Sequence, residues 1–199
     1  MERFILATNN MHKLAEMKRI LLPLGIDVVS AKEVDFDLGE VEETGTTFLE
    51  NARIKAKSAF IRTGIPAIAD DSGLVVDALN GRPGVYSARY GGEGLTDSRR
   101  IDLLLSELKD VPPEQRTARF VCEICCIIND NTEIIAKGVC EGVIAAAQSG
   151  NGGFGYDPIF FIPQENKTFA ELTDADKDSL SHRGKALAEL KTKITNLYK

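Results

Sequence analysis

The sequence predicts an α/β fold, and three observations carry that prediction. Short apolar runs of strand character alternate along the chain with segments whose apolar residues recur every three to four positions. Two long β-rich runs, 118–128 and 133–147, are joined by Asn129-Asp-Asn131, the chemistry of a hairpin turn. The helical segments stop at glycine or proline, at Gly25, Gly64 and Val111-Pro-Pro113.

Taken in order, Arg3 to Ala7 reads as a first strand and Thr8 to Asn10 as a turn. A helix follows, with Leu14, Met17, Leu21 and Leu24 on one face until Gly25. Ile26 to Ser30 returns as a second strand. After an acidic loop, Thr47-Phe-Leu-Glu50 is a capping box that opens a helix running to about Thr63. Ile65 to Val76 is a strand-like apolar run interrupted by Asp70, Asp71, Ser72 and Gly73. Asn80-Gly-Arg-Pro-Gly84 is turn chemistry, and Thr96 to Lys109 a helix. The long hairpin leads to a glycine-rich loop, a short strand from Pro158 to Pro163, an irregular acidic segment and a last helix from about Ser181 to Leu197. No internal repeat or low-complexity linker is evident.

A chain of 199 residues forms one large domain, or two lobes sharing a core, and can bury a sizeable interior. A composition of 43% hydrophobic and 27% charged residues is that of a soluble globular protein, and no apolar run is long enough for a membrane span. The first residues lack a signal core and read as a strand, so a cytoplasmic protein is expected. A net charge of −6 gives no general attraction to a nucleic-acid polymer. Of the four cysteines, Cys122, Cys125 and Cys126 lie in one strand-like run and Cys140 in the next. With only His12 and His182 as histidines, the cysteines are expected to act as small hydrophobes and not as zinc ligands.

Five segments could carry chemistry. Asp70 and Asp71 sit in apolar surroundings, where ionised carboxylates need a cation or donors to replace water. Mg²⁺, which takes one or two carboxylates together with phosphate oxygens, would supply one. A turn before Gly73 is the other reading. Thr8-Asn9-Asn10-Met11-His12-Lys13 enters a helix N-terminus suited to an anion, or is simply an Asn cap with a solvated lysine. Asn51 and Lys55 share a helix face at i, i+4. Glu50 has a capping task, and Glu42 and Glu43 have no local duty beyond a solvated acidic loop. Ser149 to Pro158 packs four glycines around Phe154 and Tyr156, either of which could stack on a flat ring or belong to the core. Ser181-His182-Arg183-Gly184-Lys185 places positive charge at a helix start, with Lys177 just upstream. That arrangement fits an anionic or acceptor-rich partner, or a surface basic cluster.

In order, Thr8-Asn-Asn-x-x-Lys13, Glu42-Glu-Thr-Gly-x-Thr-Phe-x-Glu-Asn-Ala52, Ala69-Asp-Asp-Ser-Gly-Leu74, Pro83-Gly-Val-Tyr-Ser-Ala-Arg-Tyr90, Gly152-Gly-Phe-Gly-Tyr-Asp-Pro158 and Ser181-His-Arg-Gly184 strongly resemble the inosine/xanthosine triphosphate pyrophosphatase family, over essentially the whole chain. The resemblance implies a single ITPase-like domain over residues 1–199. Its fold would be α/β, an elongated, highly twisted mixed sheet forming two lobes with flanking helices and a central substrate cleft, usually as a homodimer. It implies a Mg²⁺-dependent hydrolase that converts ITP, dITP and XTP into monophosphate and pyrophosphate. Asp71 would be the proton acceptor and, with Glu42, would hold the metal. Lys13 and Lys55 would neutralise the leaving pyrophosphate. Thr8, Asn9, Asn10, Met11, His12, Lys13 and Ser72 would contact the phosphates. Phe154, Gly155, Tyr156, Asp157, Lys177, His182 and Arg183 would surround the base. The alternatives are a nucleotide-binding regulatory module without turnover and a pyrophosphatase for modified pyrimidine triphosphates.

Overall fold

The computed structural model describes residues 3–37, 39 and 41–197; the side chain of Leu24 also lies outside the described residues. Seven strands form one mixed sheet in the order β2-β1-β3-β4-β5-β6-β7. They are β1 (Arg3–Leu6), β2 (Asp27–Ser30), β3 (Ala67–Val76), β4 (Thr117–Asn129), β5 (Thr132–Ile144), β6 (Phe160–Ile162) and β7 (Lys167–Thr168). β1 pairs in parallel with β2 and β3, whereas β6 is antiparallel to both β5 and β7. The helices are α1 (Met11–Leu21), α2 (Phe48–Thr63), α3 (Asp97–Glu107), α4 (Asp174–Leu180) and α5 (His182–Leu197).

Local chemistry accounts for most of these boundaries. The Thr47 hydroxyl accepts from Glu50 N while the Glu50 carboxylate accepts from Thr47 N, closing the expected capping box, and Gly64 ends α2 at φ +67°. The Asp130-Asn131 connection makes β4 and β5 a tight hairpin, with Asn131 N donating to the Asn129 side chain. Within the acidic segment expected to be irregular, Thr173 caps α4 by accepting from Asp176 N. The short strand expected from Pro158 narrows to β6, because Asp157–Ile159 forms a single 3-10 turn first.

The chain divides into two compact units. The first comprises the residues through Asp71, Cys122–Gly138 and those from His182 onward. Here the two-residue period of the strands sorts side chains onto two faces. Phe4, Leu6, Ile68, Cys122, Ile124 and Cys126 pack with Leu14, Met17 and Leu21 of α1 and Ala186, Leu187 and Leu190 of α5. Ile5, Ala67, Ala69, Cys125 and Ile127 face the other way, onto Ala52, Ala56 and Ala59 of α2. All four cysteines are buried, and no disulfide links them. Gly138 is required at the α5 side of β5, since a Cβ there would lie 1.9 Å from the His182 carbonyl oxygen and 2.5 Å from Ala186 N. The second unit comprises Ser72–Val121 and Val139–Ser181. Its core includes Leu74, Ile101, Leu104 and the rings of Phe120, Phe160 and Phe169, with centroids 4.6 to 5.7 Å apart.

Candidate active site

No turn forms at Asp70-Asp71. β3 runs unbroken from Ala67 through Val76 and carries both carboxylates inside the strand. Adjacent strand residues point to opposite faces, so the two aspartates acquire different surroundings. Asp70 lies on the Ile68 side, toward α1 and α5. Asp71 lies on the Ala69 side, toward α2.

Asp70 is 1% exposed and is surrounded by donors from three elements. Lys13 Nζ is 3.0 Å from its Oδ2, Arg183 donates through Nε at 3.4 Å and Nη2 at 3.3 Å, and the Cys122 thiol lies 3.8 Å away. Arg183, itself 2% exposed, also pairs with Glu16 of α1. Burial would push the Asp70 carboxyl up, but Lys13, Arg183 and Lys55 overcome it and hold the group well below the usual carboxylate range. Burial together with the Asp70 charge pushes the Cys122 thiol far above its ordinary value, so it faces Asp70 as a neutral donor. Asp70 Oδ1 is buried and has no hydrogen-bond partner among the described residues.

Asp71 faces α2, whose alanines allow the helix to lie close to the sheet. The i, i+4 pair predicted from sequence converges on it: Asn51 Nδ2 donates to Oδ2 at 3.2 Å and Lys55 Nζ to Oδ1 at 3.3 Å. Asn51 is oriented by its own oxygen, which accepts from Gly45 N at 2.8 Å. Lys55 also reaches Glu43 at 3.0 Å. Burial raises the Asp71 pKa, Lys55 and Lys13 pull it down, Glu43 and Asp70 push it up, and the balance leaves it above the usual carboxylate value. Burial pulls the Lys55 ammonium down, but Asp71, Asp70 and Glu43 outweigh burial and leave its pKa raised. A carboxylate of raised pKa beside a firmly charged lysine suits proton acceptance next to a polyanion.

The remaining candidates fall into place less evenly. Asn10 caps α1, its side chain accepting from His12 N and Lys13 N, so those two N–H groups are already engaged. Thr8 Oγ1 accepts from Asn10 N, Asn9 donates to the Gly39 carbonyl, and Met11 and His12 are exposed. Glu42 is exposed, and the carboxylate of that loop that reaches Lys55 belongs to Glu43. Ser72 is half-buried, one residue beyond Asp71 on β3.

In the second unit, Lys177 of α4 is 5% exposed and meets Asp157 Oδ2 at 2.7 Å, its ammonium lying 4.8 Å from the Phe154 ring centroid. The same Asp157 oxygen accepts from Phe154 N at 2.8 Å. A Cβ on Gly153, at φ +72°, would lie 2.0 Å from that carboxylate. Tyr156 is buried, with its hydroxyl donating to the Ser87 carbonyl at 3.0 Å, so it anchors the loop. Sequence reading missed Glu16, Ser87 and Gly138. Glu16 leaves a signal in retrospect, a charge beside Met17 on the buried face of α1.

The donor set bears on a metal. Among the described residues no three His, Cys, Asp or Glu side chains gather into a cage. One or two carboxylates, completed by water and substrate oxygens, are how a hard divalent cation binds at a phosphate site, and the Asp71 carboxylate on the α2 face of β3 fits that mode.

The model of the Ham1 family matches residues 4–193. The chain is 50% identical over 198 residues to the dITP/XTP pyrophosphatase of Salmonella paratyphi A, covering 98% of this chain and 100% of that protein. It is 51% identical over 192 residues to the enzyme of the same name from Vibrio cholerae, covering 96% and 95%. Its structure is similar to that of a HAM1 protein from Coxiella burnetii, with a TM-score of 0.89 and 45% identity over 98% of this chain and 100% of that one. The Staphylococcus aureus Ham1 protein gives 0.87 and 40% over the same shares.

Proposed function

The chain belongs to the Ham1 family, and we infer that it is a nucleoside triphosphate pyrophosphatase that hydrolyses non-canonical purine nucleoside triphosphates, dITP, ITP and XTP, to the monophosphate and pyrophosphate. Curated relatives at about half identity over nearly the full chain carry the name dITP/XTP pyrophosphatase, which favours neither a binding module without turnover nor a pyrimidine-specific enzyme.

The observation that carries the catalytic reading is the Asp71 carboxylate, raised in pKa yet held 3.3 Å from the Lys55 ammonium. Asp71 accepts the proton of a water that attacks the α-phosphorus. Lys13 and Lys55 offset the charge that develops on the departing pyrophosphate. Asp70, kept ionised by Arg183, holds Lys13 in place. Mg²⁺ is the proposed cofactor, with Asp71 and Glu42 as its carboxylates, and when bound it supplies positive charge against the triphosphate oxygens. Thr8 to Lys13 and Ser72 serve the phosphates. Phe154, Gly155, Tyr156, Asp157, Lys177, His182 and Arg183 serve the base, a role that asks of Arg183 more than the donors it gives to Glu16 and Asp70. Among the described residues no helix is long and apolar enough to cross a membrane; we place the enzyme in the cytoplasm as a homodimer.

Hydrolysis of ITP with Mg²⁺ in ¹⁸O-labelled water, followed by mass spectrometry of the products, tests this reading. Label is expected in the monophosphate. Label in pyrophosphate, or orthophosphate as the first product, would overturn attack at the α-phosphorus.

A further inference from the structure

Several hydrogen bonds shape the glycine-rich loop. Gly152 N donates to the Ala170 carbonyl at 3.0 Å, Phe154 N to Asp157 and the Tyr156 hydroxyl to Ser87. Those contacts hold the flanks of the loop. At its apex Gly155 sits at φ +61°, and a Cβ there would meet nothing within 4 Å. Asp157 N, donating to the Phe154 carbonyl at 3.2 Å, closes a turn around Gly155, and a hydrogen bond from outside the loop also holds its backbone. Gly155 N donates to Asp97 Oδ2 at 2.9 Å, across 58 residues of sequence.

Asp97 is the first residue of α3, where its charge suits the helix N-terminus, but it is not the residue that caps it. Thr96 caps the helix, accepting from Arg99 N, so the first-turn carboxylate is available for another partner. Its two oxygens are divided. Oδ1 receives Arg100 Nη1 at 2.6 Å, and Oδ2 is left for Gly155. Arg100 keeps this arrangement although its Nε is buried with no hydrogen-bond partner among the described residues, a cost that structures seldom carry without a compensating role. The pair fixes the position of the loop residue that follows Phe154, whose ring is backed by the Lys177 ammonium.

We propose that Asp97 is a positioning residue for base recognition: braced by Arg100, it holds the Gly155 backbone so that the loop meets the purine ring in one conformation. The proposal rests on the pyrophosphatase reading and on the assignment of this loop to the base. It acts on binding of the base and leaves the phosphate chemistry untouched. Hydrogen bonds to charged groups are worth enough that losing one lowers an occupancy by roughly tenfold or more.

The test compares the full-length enzyme with Asp97→Ala and Asp97→Asn, measuring kcat and KM for ITP and inhibition by tripolyphosphate, which carries no base. Asp97→Ala should raise the ITP KM by about tenfold while kcat stays within about twofold and the tripolyphosphate inhibition constant holds. Asp97→Asn, which keeps an acceptor for Gly155 N, should recover most of the loss. An unchanged KM in Asp97→Ala, or a parallel rise in the tripolyphosphate constant, would overturn the positioning role alone. A wild-type enzyme inactive on both ITP and XTP would overturn the functional reading, and this inference with it.

Discussion

Replacing Asp71 by asparagine separates the chemistry of its carboxylate from its place in the fold. The wild-type side chain accepts from Asn51 Nδ2 at 3.2 Å and from Lys55 Nζ at 3.3 Å. An asparagine there has one acceptor and one donor. With its oxygen turned to Lys55, its amide confronts the Asn51 amide. Asn51 cannot reverse without withdrawing its oxygen from Gly45 N. One buried donor is thus left unsatisfied, a cost of about 1–3 kcal/mol that urea unfolding would read. The loss of turnover is larger, at least ~100-fold in kcat on ITP, because the proton acceptor itself is gone. Combining Asp71→Asn with Asn51→Asp returns an acceptor to the pair and should recover stability, since the new carboxylate can still accept from Gly45 N. Turnover should stay low, because the carboxylate now sits on the helix. Near-normal turnover in the single variant, or its return in the double, would remove Asp71 from the mechanism.

Two further outcomes follow from the same charges. Lys55 pulls the Asp71 pKa down against burial, so Lys55→Met should raise it further; a base works only when ionised, and the acid limb of the kcat/KM profile on ITP should therefore move to higher pH, an unmoved limb assigning that limb to another group. Arg183→Ala leaves Glu16 and Asp70 buried without their guanidinium and should cost about 3–5 kcal/mol in urea unfolding at neutral pH, whereas a loss below about 1 kcal/mol would show that Lys13 and solvent suffice. Burial opposes ionisation of Asp70, but Lys13 and Arg183 depress its folded pKa, so its stabilising contribution is complete above the unfolded carboxylate value and is lost as pH falls through the folded one; the deficit of Arg183→Ala should accordingly shrink toward acid pH.

Much of the architecture was legible because local rules were sufficient for it. The capping box at Thr47 and Glu50, the glycine stop at Gly64, the hairpin through Asp130-Asn131 and the helical spacing of Asn51 and Lys55 each depend on residues a few positions apart, and the chain obeys them. Sequence alone left open whether Asp70 and Asp71 open a turn, because turn propensity and strand periodicity compete there with similar strength. Tertiary structure decided for the strand. It could do so because the cations that make two ionised carboxylates tolerable inside a sheet come from afar: Lys13 from α1 and Arg183 from α5 for Asp70, and Lys55 from α2 for Asp71. The division of tasks between neighbouring aspartates is likewise a product of the sheet, since alternation only has meaning once each face has a helix upon it. Which carboxylate of Glu42 and Glu43 meets Lys55, why Gly138 bears no side chain and how Asp97 comes to hold Gly155 were also beyond local pattern. Each depends on groups many residues apart, and the free energy of a buried charge or a close backbone approach is set by what the fold brings beside it.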